Sequence, residues 1–105
     1  MLTDFELDKH GFLKLLDKWS ECFALLVAQE EKLTLTSDHW DIIHFYRDFY
    51  LQYQLTPSQR ILIKYLRQKW PEEKATSLYV QTLFTKSVML QASRLAGLPK
   101  PSRCL

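Results

Sequence analysis

The sequence predicts a mainly α fold: a small helical bundle with an N-terminal β-hairpin and a flexible C-terminal arm. Three observations predict it. Apolar residues recur at helical spacing in several segments between about residue 18 and residue 96. Those segments open on Ser, Thr, Asp or Pro residues suited to helix starts. After Gly97 no apolar period remains. Composition agrees, since 105 residues with 47% hydrophobic content fill one domain, and a net charge of +2 is too small for bulk disorder. The body is placed at residues 1–96 and the arm at 97–105.

The elements follow in order. In "DFELDKHGFLKLL", Phe5 and Leu7 alternate with polar residues, Asp8 to Gly11 supply turn chemistry, and Phe12 and Leu13 return, which reads as a hairpin. Asp17 is suited to cap a helix over about 18–31, with Trp19, Cys22, Phe23, Leu26 and Val27 on its apolar stripe. Thr36 or Ser37 starts a helix that runs to about Tyr53. It carries two apolar stripes, Ile42, Phe45, Phe49, Tyr53 and Trp40, Ile43, Tyr46, Tyr50, and so is predicted to be the central helix. Thr56 and Pro57 form the next start, Ile61, Leu62, Tyr65 and Leu66 its buried face, and Pro71 its stop. Thr76 or Ser77 opens a short helix with Leu78, Tyr79, Leu83 and Phe84. A last helix begins at about Thr85 or Lys86, turns Val88, Met89 and Ala92 inward, and stops at Gly97.

No run of about 18 apolar residues exists, so no membrane span is expected. The acidic start, MLTDFELDKHG, lacks the pattern of a signal peptide, and a cytoplasmic protein is expected. Charge divides unevenly. Residues 1–56 hold five Lys/Arg against ten Asp/Glu, net −5, and residues 57–105 hold nine against two, net +7. Two readings are open: solvated faces of one domain that neutralise each other, or a basic surface for an anionic partner.

Most familiar chemistries find no support. Gly11 and Gly97 are the only glycines, so no phosphate-binding loop can be written. His39 and His44 are five apart on one helix, and no Cys or carboxylate cluster gives a metal-ligand spacing, so neither metal nor cofactor is expected. His39, beside a helix start, reads as a capping or surface residue. The short helices between residues 57 and 96 allow a helix-turn-helix-like reading, in which Arg60, Lys64, Arg67, Lys69 and Lys74 contact phosphates of a nucleic acid.

The two cysteines differ. Cys22 lies on an apolar stripe and reads as a small buried hydrophobe. Cys104 is penultimate, in "GLPKPSRCL", beyond any helical period. Pro99 and Pro101 stiffen the segment, and Lys100 and Arg103 bring positive charge near the sulfur, which favours thiolate. At ~3.1 Å per residue in a proline-type helix, the seven residues from Gly97 reach ~22 Å. That suits insertion of a thiol into another protein's active site.

Three stretches carry a family resemblance over nearly the whole chain: "RLAGLPKPSRCL", "DKHGFLKLLDKW" and "LTSDHWDIIHFYRDFYLQYQLTPSQRILIK". Together they resemble the DsrC/TusE family of sulfur-relay proteins, in which a penultimate cysteine carries sulfur as a persulfide. The resemblance implies a helical bundle with a mobile arm, and a sulfurtransferase whose catalytic residue is Cys104. It implies Lys100 and Arg103 as support for the anionic sulfur, and Arg60 and Lys64 as a basic docking surface near the arm. One branch of the family, acting in dissimilatory sulfite reduction or sulfur oxidation, has a second arm cysteine eleven positions upstream, where this chain has Ser93. The departure points to the single-thiol, TusE-like branch. The implied donor is then a TusBCD-type complex and the implied acceptor an MnmA-type tRNA thiouridylase, with tRNA met through that enzyme. The implied product is wobble 2-thiouridine. A DsrC-like partner of sulfite reductase and a helix-turn-helix-like nucleic-acid binder are the alternative readings.

Overall fold

The computed structural model describes residues 1–101. Five α-helices lie among them: α1 (Glu21–Glu31), α2 (Ser37–Tyr53), α3 (Gln59–Lys69), α4 (Ser77–Thr82) and α5 (Val88–Leu95). Single 3-10 turns at Leu2–Asp4 and Leu16–Lys18 precede them. Each α-helix begins at a short polar residue in extended conformation or just outside the helical region. Ser20, Ser58, Thr76 and Ser87 accept from the backbone N–H three residues on. The caps at Ser20 and Ser58 replace the expected ones at Asp17 and Thr56. Asp17 is taken up in the Leu16–Lys18 turn, and Thr56 is buried one residue before Pro57.

The N-terminal β-hairpin is not formed: no strand occurs among the described residues. What remains is one isolated antiparallel bridge, Leu7 to Leu13. The turn itself is as the sequence suggests. Gly11 has φ +87°, and the Asp8 carboxylate accepts from the N–H groups of His10 (2.8 Å) and Phe12 (3.0 Å). The ladder stops because the flanks curl into the two 3-10 turns. Adjacent Phe12 and Leu13 are moreover both buried, at 6% and 4% exposure. A strand sends neighbours to opposite faces, and a chain that must bury both does not hold that register.

The core gathers Phe23 and Val27 of α1, Ile42, Ile43 and Tyr46 of α2, Leu62 and Leu66 of α3, and Val80 of α4 around α5. The expectation that α2 is central gives way. Phe45, Phe49 and Tyr50 are only half-buried and Tyr53 is exposed, whereas every residue from Gln91 to Leu98 is buried. Helix α5 packs against both α1 and α2. Leu78 is 75% exposed, and Val80 takes the inward position of the short α4.

Candidate functional site

Cys104 and Arg103 lie outside the described residues. The chain leading to them is described as far as Pro101. Gly97 ends α5 at φ +71°, with its N–H bonded to the Arg94 carbonyl (3.2 Å) and the Leu98 N–H bonded to that of Ser93 (3.0 Å). Leu98 is fully buried, so the exposed chain starts at Pro99. Pro99, Lys100 and Pro101 border a hollow of about 200 Å³ with Tyr50, Gln54, Leu55 and Thr56, at the connection from α2 to α3. Lys100, itself exposed, also borders a cavity of about 240 Å³ that includes His10, Glu31 and Arg94.

Two side chains from other elements grip the end of α5. The Trp19 indole N–H donates to the Leu95 carbonyl (2.8 Å). Arg47 donates to the Ala96 carbonyl (2.8 Å) and, at 3.4 Å, to that of Leu16. The guanidinium lies 4.4 Å above the Trp19 ring. Burial lowers the Arg47 pKa, opposed in part by the Asp48 charge. Neither residue stands out in the sequence as a site residue. The available signal is that Arg47 is the only Lys or Arg in the aromatic-rich α2.

The basic residues of the second half separate into two groups. Arg94 pairs with Glu30 and Glu31 at 2.5 Å, Lys86 with Glu31 at 3.4 Å, Lys74 with Asp38 at 3.3 Å, and Lys69 with Asp41 at 3.9 Å. All these acids belong to the first half. Burial pushes the Glu31 carboxyl up, but hydrogen bonds from Gln91 and Arg94 and the Lys86 charge outweigh it and hold it below its ordinary range. The Tyr79 hydroxyl (2.6 Å), with Lys74, lowers Asp38. Arg60, Lys64, Arg67 and Lys100 have no carboxylate at ion-pair distance among the described residues, and all four are exposed. Of the five cations in the helix-turn-helix-like reading, Lys69 and Lys74 are therefore engaged within the fold. Arg60 and Lys64 lie on the outer face of α3, whose first turn follows the connection that borders the arm.

Cys22 is exposed, not buried. Trp19 lies before the helix in extended backbone, so it does not share a helical stripe with Cys22; the buried positions of α1 are Phe23, Ala24, Val27 and Ala28. Ser93 is fully buried on α5, and its hydroxyl has no hydrogen-bond partner among the described residues. His39 is a capping residue. Its Nδ1 accepts from the Thr36 N–H (3.1 Å), and its Nε2 lies 2.6 Å from the Leu83 carbonyl. Among the described residues no group of three His, Cys, Asp or Glu is placed to hold a metal, and no helix is long and apolar enough to cross a membrane.

Comparison with known proteins gives one consistent set of matches. The family model described as "DsrC like protein" matches residues 2–105. The chain is 44% identical over 102 residues to a protein of Photorhabdus laumondii named Sulfurtransferase TusE, covering 97% of this chain and 92% of that protein. It is 41% identical to the Sulfurtransferase TusE of Escherichia coli K12, over 97% of this chain and 94% of that one. Among solved structures it is similar to DsrC of Allochromatium vinosum (TM-score 0.84, 42% identity, 96% of this chain and 90% of that one). It is also similar to the oxidized gamma-subunit of dissimilatory sulfite reductase, DsrC, from Archaeoglobus fulgidus (TM-score 0.86, 32% identity, 96% and 92%).

Proposed function

The chain belongs to the DsrC-like family, and we propose that it is a sulfurtransferase acting as a sulfur-relay carrier, with Cys104 as its working thiol. The observation that carries this reading is the near-full-length match to Sulfurtransferase TusE proteins, in a chain that has a cysteine at its penultimate position and a serine at position 93. In the reaction, the Cys104 thiolate attacks the terminal sulfur of a donor persulfide. A sulfur–sulfur bond forms at Cys104 and the donor's sulfur–sulfur bond breaks. The electron pair leaves with the donor thiolate, and Cys104 then holds the persulfide. No net oxidation occurs, because the sulfane sulfur only changes its thiol, as in thiol–disulfide exchange. Delivery to the acceptor repeats the step with roles reversed.

Lys100 and Arg103 are the proposed support for the anionic sulfur, and Arg60 and Lys64 a docking surface. An ordinary thiol of pKa ~8.5 is only about 3% thiolate at pH 7, so docking beside positive charge raises the reactive fraction. The body spans residues 1–96 and the arm 97–105 in this reading. The donor is a TusBCD-type complex and the acceptor an MnmA-type thiouridylase that makes wobble 2-thiouridine in tRNA, all in the cytoplasm. Ser93 favours this single-thiol scheme over one needing a disulfide within the arm.

The test is Cys104→Ser. It is expected to abolish sulfur uptake and transfer, while stability stays within ~0.5 kcal/mol of wild type because serine is close in size to cysteine. Intact mass after incubation with a persulfide donor reads uptake as a gain of one sulfur, about 32 Da by the persulfide chemistry assumed. Transfer at the wild-type rate by Cys104→Ser would sink the reading. Uptake that followed Cys22 instead would sink it as well.

A further inference from the structure

A helix leaves its last carbonyls without intrahelical partners. At the end of α5 each of them is satisfied by a specific donor. Ala92 accepts from the Ala96 N–H, Ser93 from Leu98 and Arg94 from Gly97. Leu95 accepts from the Trp19 indole and Ala96 from the Arg47 guanidinium. The last two donors stand 76 and 49 residues away in the chain. Trp19 also lies flush on Gly97, where an added Cβ would come within 2.4 Å of its Cδ1. Arg47 is desolvated here with no carboxylate at ion-pair distance among the described residues. It is held by two carbonyls and the face of Trp19, a cation–π contact. The carbonyls of a helix C-terminus offset the desolvation of a half-buried cation, and the cation in turn holds that end.

We propose that Trp19 and Arg47 are positioning residues for sulfur transfer: they clamp Leu95 to Leu98 so that the chain bearing Cys104 leaves the body in one direction. The functional half of this proposal rests on the carrier reading above. Leverage gives the clamp its purpose. An extended chain of six residues spans up to ~19 Å at ~3.1 Å per residue, so a swing of about 30° at its root displaces its tip by ~10 Å. A misplacement of about 1 Å is already enough to slow a reaction between docked groups.

Two variants separate the clamp from general stability. Arg47→Gln removes the charge and the bond to Ala96. Trp19→Phe keeps an aromatic ring against Gly97 but removes the bond to Leu95. In both, the amides of Gly97 and Leu98 are expected to lose at least tenfold of their hydrogen-exchange protection, while those of Val27 and Leu66 in the core keep theirs. Uptake of sulfur from glutathione persulfide, which needs no docking, is expected to stay within twofold of wild type. Transfer from loaded protein to the thiouridylase acceptor is expected to slow at least tenfold, through a lower maximal rate. Arg47→Lys, which keeps a charge but not the fork, is expected to fall between. Unchanged protection at Gly97 and Leu98 overturns the clamp. So does protection lost equally across the core, or transfer at the wild-type rate once the amides are freed. If wild-type protein takes up no sulfur from glutathione persulfide, the carrier reading fails, and the amide protection then decides the clamp by itself.

Discussion

Helix α5 keeps its arginine inside the protein, and α3 keeps its cations outside. On α5, Arg94 is 9% exposed and uses every nitrogen: Nη1 on Glu31, Nη2 on Glu30 and Nε on the Gly11 carbonyl (2.9 Å). It ties the last helix to α1 and to the N-terminal turn at once. On α3, Leu62, Ile63 and Leu66 face the core while Arg60, Lys64 and Arg67, spaced i, i+4, i+7, face solvent without acidic partners among the described residues. Both helices come from the half of the chain with net charge +7. The difference shows that this charge is not one feature. Part of it neutralises the acidic first half inside the fold, and part stands on the surface without acidic partners among the described residues.

Arg94→Ala gives the largest expected effect. It leaves the Gly11 carbonyl without its Arg94 donor and the Glu31 carboxylate with only Gln91 and Lys86 in a poorly solvated place, at a cost of about 3 kcal/mol, read as a lower urea midpoint at unchanged slope. The pH dependence follows with a definite sign. The folded pKa of Glu31 is below its ordinary 4.5. Its stabilisation is therefore complete above pH 4.5 and is lost as pH falls from there toward the folded value. Without Arg94, burial weighs more heavily and the folded pKa rises. Arg94→Ala is thus expected to lose less stability than wild type between pH 7 and pH 4. Equal losses in both proteins would mean that Arg94 and Glu31 are not coupled.

Asp38 is the intermediate case, paired but nearer the surface. Tyr79→Phe removes its short hydrogen bond (2.6 Å) and leaves Lys74. A cost of about 1 kcal/mol is expected. The Asp38 carboxyl, now held below its ordinary 3.8, moves back up toward it, which carboxyl-carbon NMR titration would follow. A carboxyl that did not move would assign the shift to Lys74 instead.

How much of this was legible in the sequence depends on the range of the interaction. Local chemistry could be read: the turn at Asp8 to Gly11, the helix start at Thr76 or Ser77, the stop before Pro71 and the stop at Gly97. Errors of a few residues at Ser20 and Ser58 arose because several polar residues competed for one cap. The hairpin failed for a reason that no period count contains, namely that Phe12 and Leu13 are both needed inside. Cys22 was misplaced by counting the helical period from Trp19, which stands outside the helix. The clamp of Trp19 and Arg47 on α5, and the sorting of cations into paired and unpaired, join residues 28 to 76 positions apart. Only the fold brings those together.

The smallest effect on stability is expected where the cations are free, and it isolates their role. Arg60→Gln with Lys64→Gln removes two positive charges that touch no carboxylate among the described residues, so stability should stay within ~0.5 kcal/mol of wild type. Lys69→Gln with Lys74→Gln removes the same charge from positions already engaged with Asp41 and Asp38. If the outer face of α3 docks a protein partner, the first pair is expected to slow sulfur transfer between proteins severalfold at low salt. The deficit should shrink as ionic strength approaches 0.15 M, where charges more than about 8 Å apart are largely screened. Loading by glutathione persulfide should not respond. The second pair is expected to leave transfer close to wild type. Equal slowing by both pairs would mean that net charge matters and location does not. No slowing by either would leave Arg60 and Lys64 as an ordinary solvated face.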